Sequence, residues 1–101
     1  MRRNLLPTWQ ELKQEGLVYL SEESGKEVLS RDKFDLLLHI LRKEYGLAYI
    51  LPNDIRQNEI TQKDYDSVLL RITDSFSFSH YQYEEEAEDW EIRRRIVRRI
   101  K

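Results

Sequence analysis

The two histidines, His39 and His80, are the side chains of this chain best suited to proton transfer or metal binding near neutral pH. His39 follows Asp35 at a spacing of four, which on a helix puts both on one face. Such a pair can hold a metal or polarise an imidazole. It supplies two ligands, and the sequence offers no third. A histidine at the rim of a core, bonded to a carboxylate, is the preferred account of the pair. His80 precedes Glu84 and Glu85, but no nucleophile, base and oxyanion donor fall into a catalytic arrangement around it. The chain has no cysteine, no glycine-rich phosphate loop and no serine elbow. The fragments Asp32-x-x-Asp35 and Asp64-x-Asp66 lie in helical patterns, not in calcium-loop settings. The expectation is a protein that is not an enzyme and needs no metal or cofactor.

A different chemistry is written in the last stretch, "YEEEAEDWEIRRRIVRRIK". Six acids (Glu84, Glu85, Glu86, Glu88, Asp89, Glu91) stand before six bases (Arg93, Arg94, Arg95, Arg98, Arg99, Lys101). Arginines can contact phosphates, or they can pair with carboxylates on a protein. Charge counting weighs between these. The whole chain carries 17 Lys and Arg against 19 Asp and Glu, a net charge of −2. The terminal stretch is itself neutral. A nucleic-acid binder usually carries a basic excess, so that class is the second choice.

As a helix, this stretch stacks Ile92, Ile96 and Ile100 into one ridge, with Val97 and Trp90 beside it. Acids lead and bases follow, as the helix dipole favours. Asp89 with Arg93, and Glu91 with Arg95, have the acid-first spacing that adds about 0.2–0.5 kcal/mol per exposed pair. Helix stability alone explains that layout. The ridge beside an arginine rim is also the form of a helix that lies in a partner's groove.

The elements that must position these residues are mostly helices. Thr8 and Glu11 have capping-box spacing, and Gly16 is a stop for a short first helix carrying Trp9 and Leu12. The run Leu17–Leu20, then Ser-Glu-Glu-Ser-Gly, then Glu27–Leu29 reads as a small hairpin. Ser30 caps a helix over 30–45. Its stripe is Phe34, Leu37, Leu38, Leu41 and Tyr45, widened by Leu36 and Ile40. Thr61 caps another over 61–75, with Tyr65, Val68, Leu69, Ile72 and Phe76 on one face. Leu47–Leu51 reads as an extended segment before the turn Pro52-Asn53-Asp54. Gly46-Leu47-Ala48-Tyr49-Ile50 echoes Gly16-Leu17-Val18-Tyr19-Leu20, which suggests two similar helix exits pairing as strands. About fifteen residues separate the two best helices, too many for a helix-turn-helix, which needs three or four.

The expected fold is a mainly α, small helical domain: three main helices, a short N-terminal helix and a small β-hairpin. The body covers 1–76 with its hairpin near 17–29, an aromatic connector covers 77–83, and the charged amphipathic helix covers 84–101. The expected function is a small, regulatory interaction protein. It would bind a protein partner or self-associate through its C-terminal helix and connector, by Trp90, Arg94, Arg95, Arg98, Arg99, Tyr81 and Tyr83. Phe78 belongs to the same aromatic surface. Removing 84–101 is expected to abolish binding and spare the body. The alternative partner is nucleic acid, gripped by the Arg-rich C-terminus.

The first residues contain two arginines but no apolar run, unlike a signal peptide. The longest apolar run falls far short of the roughly 20 residues that span a bilayer. A cytoplasmic protein without membrane contact is the expectation.

Overall fold

The computed structural model describes residues 5–46, 57–75 and 87–101, with the side chains of 73–75 outside the description. The elements run α1 (Trp9–Gln14), β1 (Tyr19–Leu20), β2 (Glu27–Ser30), α2 (Arg31–Tyr45), β3 (Glu59–Thr61), α3 (Gln62–Ser75) and α4 (Asp89–Ile100). The domain is mainly α, with one small antiparallel sheet in the order β1-β2-β3.

The local signals act where the sequence puts them. In α1, Thr8 Oγ1 accepts from the Glu11 amide at 3.1 Å, and Glu11 Oε1 accepts from the Thr8 amide at 2.9 Å. This reciprocal box satisfies two donors that a helix start leaves free. At the other end, Gly16 takes φ 76°. The Gly16 amide donates to Lys13 O and the Leu17 amide to Leu12 O. These two bonds form a Schellman stop, and Leu12 and Leu17 are both buried, supplying its usual apolar contact.

The hairpin pairs Tyr19 with Val28 and Leu20 with Glu27. Ser21 Oγ accepts from the Glu23 and Ser24 amides, and the Gly25 amide returns to Ser21 O. The third strand, β3, is an addition to the expected hairpin. It pairs Leu29 with Ile60 and Ser30 with Glu59. The extended segment expected over 47–51, its turn, and the echo of the first helix exit lie outside the described residues.

Strands β2 and β3 each run straight into a helix. Ser30 Oγ accepts from the Lys33 amide at 3.2 Å, and Thr61 Oγ1 from the Asp64 amide at 3.3 Å. A single spacing relates Leu29 to Ile60, Ser30 to Thr61, Phe34 to Tyr65, Leu37 to Val68 and Leu41 to Ile72. Leu29 and Ile60 are also direct partners across the sheet. The register thus sets the two strands symmetrically about that pair, each followed by a helix with the same apolar spacing. The Phe34 and Tyr65 rings meet edge-on at 6.0 Å. Trp9 also packs on Tyr65, with ring centroids 5.7 Å apart and the rings tilted by 56°. The phenol of the buried Tyr65 donates to Pro7 O.

One core joins residues of all four helices with Leu29 and Ile60 of the sheet. The stripe of α2 is buried as expected, including Ile40, but Leu36 is 40% exposed. It lies just beyond the arc that the neighbouring elements cover. In α3, Tyr65, Val68 and Ile72 are buried and Leu69 is packed at the margin. Phe76 lies outside the described residues.

Candidate interaction surface on the C-terminal helix

α4 turns its isoleucine ridge inward. Ile92 and Ile96 are fully buried, and Val97 and Ile100 are each 1% exposed. The helix packs on α1 and α2. Burying four aliphatic side chains stabilises by about 6–12 kcal/mol, at about 1.5–3 each. A whole domain is stable by about 5–15 kcal/mol. α4 is thus part of the body's own core, which corrects one expectation: the ridge is not free to lie in a partner's groove.

The bases of α4 divide into two sets. Arg93 Nε donates to Glu11 Oε1 at 2.9 Å and Oε2 at 3.2 Å. Arg99 pairs with Glu44 of α2, and Lys101 Nζ reaches Glu15 Oε2 at 3.4 Å. These three fasten the helix to the body. Arg94, Arg95 and Arg98 are exposed on the outer side of the helix, and the Arg95 charge also acts on the Tyr45 phenol of α2. Of the expected partner residues, Arg99 therefore belongs partly to the fastening set. Tyr81, Tyr83 and Phe78 lie outside the described residues.

Trp90 shares the outer face with the exposed arginines. Trp90, Arg94 and Arg98 follow at intervals of four, and Arg95 lies beside them. The Trp90 side chain is 52% exposed, whereas Trp9 is 5% exposed in the core. Two shallow grooves flank it. One, of about 280 Å³, runs between α4 and α1 and is lined by Glu11, Gln14, Glu15, Trp90, Arg94 and Val97. The other, of about 170 Å³, runs along α4 past Glu91, Arg95 and Arg98. Trp90 and Arg94 border both. The helix start beneath them is fixed by Glu91, whose carboxylate accepts from the Glu88 amide at 3.3 Å.

The histidine site takes no such shape. His39 is exposed, and Asp35 Oδ1 accepts from Arg31 Nε at 3.0 Å, an intrahelical pair. Among the described residues no three His, Asp or Glu side chains form a metal-binding group. His80 lies outside the described residues. No described helix is long and apolar enough to cross a membrane.

A larger concavity, of about 780 Å³, lies over the sheet. Glu59 is one of its lining residues. The Tyr19 hydroxyl donates to Glu59 Oε2 at 3.0 Å and the Ser21 hydroxyl to Oε1 at 2.8 Å. Partial burial, the bond to Glu59 and that carboxylate's charge together raise the Tyr19 phenol above its ordinary value. Glu22 and Glu23 stand on the rim, and no Lys or Arg is among its described lining residues. Locally the sequence shows only the acidic turn with Glu22 and Glu23. Glu59 joins it through a long-range strand pairing that spacing does not reveal.

The fold and this surface define a small helical domain that carries an aromatic and arginine-rich helix face. Comparison with family models, with curated protein sequences and with solved structures finds no match to this chain.

Proposed function

We propose that this protein is a small, non-enzymatic interaction module that binds a protein partner through the outer face of α4. The observation that carries the reading is the half-exposed Trp90, held among Arg94, Arg95 and Arg98 between two grooves. Tryptophan and arginine are the residues on which binding energy concentrates at protein interfaces. An indole left in water on a helix whose other face is fully buried gives a partner apolar area to cover. The arginines around it offer bidentate bonds to carboxylates. A regulatory role in the reducing interior of a cell fits a chain without cysteine.

The test is capture of partners from the source cells by the full-length chain, compared with Trp90→Ala and Arg94→Ala/Arg98→Ala. Specific capture by the wild type, lost in both variants while the fold is retained, supports the reading. Capture that survives both substitutions overturns it.

The second reading is phosphate contact by the same arginines, favoured by their placement along one exposed helix face. Three contacts give a log–log salt slope of about −3 for duplex DNA. Absence of binding at low salt removes this reading.

A further inference from the structure

We propose that a second copy of this chain occupies the outer face of α4, with the Trp90–Arg94–Arg98 face of one molecule seated in the acidic sheet cleft of the next. Resting on the reading of the α4 face given above, this names its partner.

The two surfaces are complementary in charge. The α4 face presents Arg94, Arg95 and Arg98, and the cleft presents Glu22, Glu23 and Glu59 with no described cation in its lining. They are also complementary in apolar content. Trp90 stands 52% exposed on one, and Leu20 at 66% and Tyr19 at 42% stand exposed on the other. A tryptophan buries about 150–250 Å² in all, and the exposed half of Trp90 is left for docking. A concavity of about 780 Å³ is large enough to receive it.

The two surfaces share no described lining residue. α4 packs on α1 and α2, while the sheet packs on α2 and α3. One molecule therefore presents both without using either. The head-to-tail combination sets Arg94 and Arg98 of one molecule against Glu22, Glu23 and Glu59 of the next. Such a contact is heterologous, so it leaves one free face at each end and can continue. Its small extent places it among weak contacts, formed at high concentration and loosened by salt.

Sedimentation of the full-length chain over a concentration series tests this. Two variants each disable one surface: Trp90→Ala/Arg94→Ala on the helix, and Glu22→Arg/Glu23→Arg on the cleft rim. Circular dichroism confirms that both fold. The wild type is expected to form dimers and larger species as concentration rises, and to return to monomer at high salt. Each variant alone is expected to be monomeric. An equal mixture should give a dimer and nothing larger, since only one matched pair of faces remains. A wild type that stays monomeric throughout overturns the proposal, as does one that stops at a dimer or a variant mixture that forms no complex. A monomeric wild type that still captures a cellular partner through Trp90 leaves the reading of the α4 face standing. Self-association unaffected by the helix variant overturns the proposal of a Trp90 contact.

Discussion

Arg93 of α4 donates from Nε to both carboxylate oxygens of Glu11, at 2.9 and 3.2 Å. The same Glu11 Oε1 accepts from the Thr8 amide. One carboxylate therefore caps the first helix and holds the last. The side chains of the pair are only 17% and 29% exposed. Partial burial makes such a charged bond worth more than a surface pair. Arg93→Ala is expected to cost about 1–3 kcal/mol. Lys13→Ala, which removes a largely exposed pair with Glu27, should cost under about 1 kcal/mol. Urea denaturation of the two variants gives the comparison. Equal effects would show that the Arg93 pair has no special weight.

The C-terminal helix is expected to behave as core. Ile96→Ala removes a fully buried side chain and should cost about 2–5 kcal/mol. A chain ending at Glu88 should lose cooperative thermal unfolding altogether. A truncated chain that unfolds with the wild-type midpoint would contradict the packing of α4.

Trp90 and Trp9 offer a contrast within one residue type. Trp9→Ala is expected to cost about 3–5 kcal/mol, since its ring packs in the core against Tyr65. Trp90→Ala should stay within about 0.5 kcal/mol of wild type. Denaturant midpoints measure both, and a large loss at Trp90 would assign it to the fold rather than to binding.

Alkaline pH acts through Tyr65. Burial, with smaller effects of the Glu11 and Asp66 charges, holds its phenol well above the ordinary 10.0. The folded state thus keeps a proton that the unfolded chain gives up. The contribution is fully present below about pH 10 and is lost as pH rises through the higher folded value. Melting temperature should fall steeply above pH 10 in the wild type and less steeply in Tyr65→Phe. That variant should also lose about 1–3 kcal/mol at neutral pH, because Pro7 O is left without its donor. An unchanged alkaline slope in Tyr65→Phe would remove Tyr65 as its cause.

Gly16→Ala isolates a backbone effect. A methyl group at Gly16 meets nothing within 4 Å, but φ is +76°. The expected loss is about 1–2 kcal/mol, all of it conformational. Thermal melts measure it, and an unchanged midpoint would show that the Schellman stop tolerates a side chain.

What the sequence determined by itself was local. Thr8 with Glu11, Ser30 and Thr61 cap their helices because each partner amide lies three residues away. Phe34, Leu37 and Leu41, and Tyr65, Val68 and Ile72, fall on one face because a helix turns every 3.6 residues. The hairpin was legible from Gly25 in a polar cluster between apolar runs. Strand β3 was not, because it has three residues and a single buried apolar one, Ile60. Its existence depends on β2 lying beside it. The tertiary structure alone decided the direction of α4. Periodicity shows that Ile92, Ile96 and Ile100 share a face, but not whether that face meets the body or a partner. It also divided the arginines, since Glu11 and Glu44 lie far from Arg93 and Arg99 in the chain. Packing consumed the ridge and three of the bases, and left Trp90, Arg94, Arg95 and Arg98 facing solvent.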